Sequence, residues 1–429
     1  MKADPTTDPA LHSFVPVAAA SDFPIQNLPY GAFRSGSGDV RLCVAIGDCV
    51  LDLNAAARAG LLDPIAPNAL DLFCAPNLNP LLAAGHRTWR RTRERLSMLL
   101  RAGEGTLREA GATDALRERA GLSFVLPVAV ADYVDFYSSL EHATNVGKIL
   151  RPGAEPLLPN WRHVPIGYHG RAATVVASGT PVVRPWGQRK GTEGTPEFGP
   201  TGSLDFELEL AFVTGDGPEP PNGIAAAEAR DAIFGVALLN DWSARDIQAW
   251  EYQPLGPFLG KSFATSLSPW IVSLDAIEPF RVAGPVQVPP PLPYLATTGP
   301  EAYDIALEVT LQSATMRDRG IAPQTISRTN FRGMYWSMAQ QLAHASSNGA
   351  RVRAGDLYGS GTISGSDPGT YGSMLELTWR GARPLALADG TQRAFLNDGD
   401  EVVMRGSCAA PGHAHLGFGE LQGRIEPAR

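Results

Sequence analysis

Four cysteines serve 429 residues, Cys43, Cys49, Cys74 and Cys408, and no two of them form a CxxC pair. That scarcity excludes a cysteine zinc site or a dithiol redox motif and leaves a reduced, cytoplasmic home as the expectation. Long apolar runs are missing as well. No window approaches the ~18 apolar residues of a membrane span, and the first twenty residues lack the basic start and apolar stretch of a secretion signal. A soluble chain with no membrane partner is expected. Positive charge is not in excess, since 36 Lys plus Arg against 44 Asp plus Glu give a net charge of −8, which argues against nucleic acid as a partner.

Glycine and proline are abundant, at 45 and 36, well above the ~12% of average usage. The hydrophobic fraction of 44% is ordinary for a globular protein, so the excess points to many short strands and turns rather than to disorder. At ~150 residues per domain the length allows two or three units.

Residues 41–46, Gly47-Asp48 and 49–53 read as a hairpin. Residues 88–101 place Trp89, Leu96, Leu99 and Leu100 at helical spacing with Gly103 as a stop, and their arginines read as a solvated face. A boundary is placed near residue 120, separating a small β unit with a helical connection (1–120) from a large strand-rich unit (121–429). Strands are expected at 173–176, 204–213, 270–274, 303–311, 373–379 and 401–404. Two helices should interrupt them, one starting at Asn240 or Asp241 and one at Thr329 or Asn330, all good N-cap types. In the second, Phe331, Met334, Tyr335, Met338 and Leu342 form an apolar stripe read as core. Residues 187–202 and 284–293 read as connections.

Two motifs are set aside. Gly256-Pro-Phe-Leu-Gly260-Lys261-Ser262 is one residue short of a P-loop and fills the phosphate cradle with bulky side chains, and Gly359 to Gly365 is off by one from GxGxxG. No serine has glycine at both −2 and +2, so a nucleophile elbow is absent.

In Leu204-Asp205-Phe206-Glu207-Leu208-Glu209-Leu210, strict alternation puts three carboxylates on one strand face. An ordinary half-exposed strand is the competing reading, but three acids in a row repel each other, and a divalent cation relieves that repulsion. Asp135 and Asp241 are further acidic candidates. Asp241, Arg245, Gln248 and Tyr252 fall on one face of the expected helix, and the apolar residues around them suggest that this face lines a cleft.

These residues lie in long motifs: SDFPIQNLPYG at 21–31, DFYSSxxHATNVG at 135–147, LLPNWxHxPxGYHGRA at 157–172, NDWSARDIQxWEYxPLGPFLGKSF at 240–263, SGTISGSDP at 360–368 and GSMLEL at 372–377. The sequence resembles the fumarylacetoacetase family from Ser13 to about Gly419. That family splits 4-fumarylacetoacetate into fumarate and acetoacetate in tyrosine and phenylalanine breakdown. The resemblance implies a mainly β fold with some α, in which a small SH3-like β-barrel precedes a large mixed β-roll catalytic domain.

It further implies that Asp135, Glu207, Glu209 and Asp241 bind a catalytic Ca2+ or Mg2+, with Lys261 and Thr265 beside a second, structural cation. His142 matches the catalytic base and Glu376 the carboxylate that orients it. Arg245, Gln248 and Lys261 match groups around the developing oxyanion, while Tyr137, Arg151, Tyr168, Gln248, Tyr252 and Thr362 match substrate contacts. A homodimer acting on a small diketo acid is the implied assembly. The sequence departs from the family pattern at Ala264, where glycine is expected, and at Tyr358-Gly359, where Leu-Ala is expected. An acylpyruvate hydrolase, decarboxylase or isomerase on the same scaffold, and a non-catalytic cation-binding protein, are the competing functions.

Overall fold

In a computed structural model that describes residues 4–191 and 194–429, the strand Leu208–Thr214 pairs antiparallel with Ile233–Asp241, and both are buried along their whole length. They form the middle of an eight-stranded mixed sheet. Its order is Gly167–His169, Tyr133–Phe136, Leu357–Gly359, Leu208–Thr214, Ile233–Asp241, Thr265–Leu267 and Val175–Ala177, with Val272–Ser273 also paired to Ile233–Asp241. The expected alternation is present, but neither face meets solvent. Phe206, Leu208, Leu210 and Phe212 enter one hydrophobic core, whereas Ala211 and Val213 enter a second core on the opposite face. Glu207 and Glu209 therefore begin the face that Ala211 and Val213 continue.

That second core is shared with the N-terminal stretch, where Leu116–Glu118, Cys49–Asp52, Val40–Ile46, Tyr30–Arg34 and Ser123–Val125 form a five-stranded antiparallel sheet. The hairpin at Gly47-Asp48 stands as expected. The helix Gly85–Leu100 buries Trp89, Leu96, Leu99 and Leu100, and Gly103 follows it at φ +85. Another five-stranded sheet, Gln324–Asn330, Ala306–Gln312, Glu401–Cys408, Leu416–Glu426 and Val182–Val183, packs through the first core. The whole is a mixed α/β architecture made mostly of sheet.

Three expectations are corrected. No helix starts at Asn240 or Asp241, because Asn240 Oδ1 accepts from Glu207 N and Asp241 pairs with Thr265 in the sheet, so the helix begins later, at Arg245–Glu251. Near 330, Asn330 caps only a short turn, Phe331–Gly333. The α-helix Met338–Ser346 starts where Ser337 and Gln340 make a reciprocal capping box. The apolar stripe stays buried across both pieces. The expected strand at 373–379 is instead a one-turn helix, Met374–Leu377, whose Ser373 Oγ accepts from Glu376 N. Residues 187–202 hold a hairpin, Trp186–Lys190 with Pro196–Pro200, and its residues 192–193 lie outside the described residues.

Candidate active site

Glu207 and Glu209 project from the start of their strand, Asp241 ends the neighbouring one, and Asp135 enters from Tyr133–Phe136 across Leu357–Gly359. All four are buried, and each offers an oxygen within 4.8 Å of the others. Burial, reinforced by neighbouring carboxylates, pushes Asp135 and Glu209 well above the usual carboxylate range. Asp135 Oδ1 and Glu209 Oε1 have no hydrogen-bond partner among the described residues, and Glu209 Oε2 accepts only from Gly361 N, at 2.9 Å.

Glu207 behaves differently. Burial opposes its charge, yet Lys261 and Arg245 hold it well below the usual range. Lys261 Nζ donates at 2.6 Å to both Glu207 Oε2 and Asp241 Oδ2. Burial works against the Lys261 charge too, but those carboxylates keep it above the usual lysine range. A charged ammonium has no lone pair to offer, so the Lys261 side chain serves as a counter-charge. Thr265 Oγ1 and Tyr168 Oη donate to the two oxygens of Asp241, at 3.0 and 3.2 Å.

Asp135, Asp205, Glu207, Glu209, Asp241 and Glu376 place six buried carboxylates against two fixed positive side chains, Arg245 and Lys261. Buried negative charge in such excess is costly unless paired. With two carboxylate oxygens left unpartnered and only oxygen donors converging, the residues fit a hard divalent cation. Asp205, counted with this face by alternation, is not part of the cluster; it accepts from Arg245 Nε instead.

The second half of the site is a histidine–carboxylate pair. Ser139 Oγ caps the helix Leu140–Leu150 by accepting from His142 N, which fixes His142 in the first turn. His142 Nδ1 lies 2.7 Å from Glu376 Oε2, which also accepts from Ser364 Oγ and Ser373 Oγ, each at 2.9 Å. Asn145, one turn beyond His142 on the same helix face, donates to the other oxygen of Glu376 at 3.0 Å. Burial opposes charge on Glu376, but His142 and these donors hold it below the usual range. With Nδ1 engaged, His142 Nε2 is the ring nitrogen left for a water.

The other expected residues divide. Arg245 Nη1 contacts Glu207 Oε1 at 2.7 Å and donates to Gln248 Oε1 at 3.1 Å, while Nη2 is buried and has no partner among the described residues. The Tyr137 ring meets the His142 ring edge-on at 5.3 Å. Burial raises the Tyr137 hydroxyl above its usual range, with Arg151 and Arg245 pulling the other way. Thr362 Oγ1 is buried and has no partner among the described residues. Arg151 Nη2 donates to Pro156 O, and its Nε is free; Tyr252 closes the Arg245–Glu251 helix, half-buried, and neither hydrogen-bonds to the groups above. At Gly359 an added Cβ would stand 2.9 Å from Glu209 Oε2 and 3.0 Å from Asp135 Oδ1, and beside Ala264 the Thr265 hydroxyl still reaches Asp241.

Sequence reasoning missed Asn145, Ser364, Ser373 and the unpartnered Tyr133 hydroxyl. Asn145, Ser364 and Ser373 lie inside the quoted motifs, and the Ser373-x-x-Glu376 spacing of a capping box was a further signal.

Residues 132–426 match the family model described as fumarylacetoacetate (FAA) hydrolase C-terminal, and residues 26–127 match the one described as fumarylacetoacetase N-terminal. The chain belongs to the fumarylacetoacetase family. It is 48% identical over 425 residues to the fumarylacetoacetase of Arabidopsis thaliana, covering 97% of this chain and 99% of the relative. To that of Homo sapiens it is 47% identical over 420 residues, covering 97% and 99%. The solved fumarylacetoacetate hydrolase of psychrophilic Exiguobacterium antarcticum shares the fold at 16% identity, with a TM-score of 0.51 over 94% of this chain and all of that one. Within the fumarylacetoacetase family the matches thus span both the N-terminal sheet and the part that carries the carboxylates and His142.

Proposed function

We propose that this chain hydrolyses 4-fumarylacetoacetate to fumarate and acetoacetate, as a hydrolase of carbon–carbon bonds in ketones and a last step of tyrosine and phenylalanine catabolism. The observation that carries this is the pairing of His142–Glu376 with the carboxylate cluster in a chain nearly half identical to fumarylacetoacetases from end to end. Asp135, Glu207, Glu209 and Asp241 would hold Ca2+ or Mg2+. Bound there, the cation would polarise the diketone and orient it.

His142 Nε2 takes a proton from water, and the oxygen of that water bonds to the carbonyl carbon of the fumaryl group, which becomes a carboxylate of fumarate. Glu376 fixes the ring tautomer and stabilises the imidazolium. The carbon–carbon bond then breaks, its electron pair leaves on acetoacetate as an enolate, and the imidazolium returns the proton to carbon. Arg245, Gln248 and Lys261 offset charge on the leaving enolate. Tyr137, Arg151, Tyr168, Tyr252 and Thr362 hold the substrate, with the free nitrogen of Arg151 suited to a carboxylate. Thr265 and Lys261 donate to Asp241 and would stand beside a second, structural cation.

The same reading divides the chain into an SH3-like β domain at 1–120 and a catalytic domain at 121–429, working as a cytoplasmic homodimer. A five-stranded antiparallel sheet supports a distinct first part, its edge strand Ser123–Val125 lying just past residue 120, and light scattering tests the dimer.

Loss of the near-ultraviolet absorbance of the conjugated diketone provides the assay. Turnover should stop on chelation and return with calcium or magnesium, and His142→Ala should lower kcat by about 10²–10⁴-fold. No turnover by the cation-loaded protein would sink the reading.

A further inference from the structure

Asp205 opens the run of three acids but stands outside the four-carboxylate cluster, and the chemistry above gives it no part. It is fully buried, and all its hydrogen bonds go to elements that carry site residues. Oδ2 accepts from Arg245 Nε at 2.8 Å and from Leu375 N at 3.0 Å, and Oδ1 accepts from Met374 N at 2.7 Å. Its two-residue strand pairs with Ser243–Ala244, directly before Arg245. The carboxylate therefore lies between the root of Arg245 and the first turn of the helix that bears Glu376.

The arginine fork makes that contact consequential. A guanidinium is planar and rigid, so holding two nitrogens fixes where the third points. Nε is on Asp205 and Nη1 is shared between Glu207 and Gln248, which leaves the buried Nη2 without a partner. Were Asp205 absent, nothing on the Nε side would keep the fork from turning to grip Glu207 with two nitrogens, the usual bidentate preference. Nη2 would then be consumed.

We propose that Asp205 is a positioning residue: it keeps Arg245 Nη2 free for the oxyanion of the departing enolate, while its remaining bonds set the turn that carries Glu376. This rests on the diketone hydrolysis proposed above and deepens it. Arg245 acts on charge that develops as the bond breaks, so the effect of losing Asp205 falls on kcat.

Asp205→Asn keeps the volume, removes the charge and turns an amide N–H against a donor. The calcium-loaded variant should fold with a thermal midpoint near that of the wild type and keep the rise that calcium produces. Its kcat should fall about 100-fold with KM within about threefold. On an Arg245→Gln background the same substitution should cost less than about threefold more, because the group it positions is gone. An unchanged kcat in the folded variant, or an equal loss on both backgrounds, overturns the proposal. A loss that merely tracks the folded fraction overturns it too. Asp205→Ser is measured alongside, and if neither variant folds, Asp205 belongs to the fold alone and the proposal fails. Absent wild-type turnover would reject the hydrolysis itself, whereas wild-type turnover with an unimpaired Asp205→Asn rejects only the positioning role.

Discussion

Glu207 and Glu209 sit two residues apart on one strand, yet their surroundings drive them in opposite directions. Glu207 has Lys261 and Arg245; Glu209 has one backbone N–H and the like charge of Asp135. Without a cation, the repulsion therefore falls on Glu209 and Asp135. Glu209→Gln should stabilise the chelated protein by about 1–3 kcal/mol while removing most of the stabilisation that calcium adds. Thermal melts with and without calcium measure both effects, and a calcium shift as large as that of the wild type would remove Glu209 from the ligand set. Alternation alone could find Glu207 and Glu209 but also swept in Asp205, whose partners come from distant parts of the chain. Asp135 and Asp241 stood out as acidic candidates, and only the family motifs joined them to Glu207 and Glu209 as one ligand set. Asn145 lay inside one of those motifs unnoticed, because a polar helical side chain looks the same in sequence whether it meets solvent or a buried carboxylate.

Two of the errors at the scale of elements share a cause: good N-cap residues stood where no long helix begins. Asn240 was taken by the backbone of Glu207, and Asn330 lost the helix start to the Ser337–Gln340 box. The 373–379 segment alternates like a strand, yet Ser373 caps a single turn, and that turn aims Glu376 at His142. Turns around the site show the same dependence on backbone shape. Gly361 has φ +78, an added Cβ would run into Phe136 O, and its N–H is the donor to Glu209. Gly361→Ala should thus cost at least about 2 kcal/mol of stability and weaken calcium binding together, since the loop cannot keep both its path and its donor. Calorimetric titration of calcium on the folded variant checks this, and wild-type affinity would show that the loop adapts.

Across the whole molecule, the turn-rich composition and mostly β character were legible, whereas the union of the N-terminal sheet with the central one was not, because hydrophobic pattern does not reveal which buried faces meet. Tyr30 and Ile271 exchange backbone hydrogen bonds at 2.9 and 2.8 Å, and Trp270 packs its ring 5.3 Å from Phe23 and 4.7 Å from Phe124. Tyr30 and Trp89 likewise meet Phe234, on the strand that ends in Asp241. The N-terminal part thus covers the same face of these strands from which, further along, Glu207, Glu209 and Asp241 project. A shared core of this kind should melt as one unit, so calorimetry should record a single transition that calcium raises as a whole. Trp270→Ala should lower that transition by about 3–5 kcal/mol of stability while leaving kcat per folded molecule unchanged, because Trp270 packs the seam and touches none of the reacting groups. Two separate transitions, only one of them sensitive to calcium, would mean that the seam does not couple the halves.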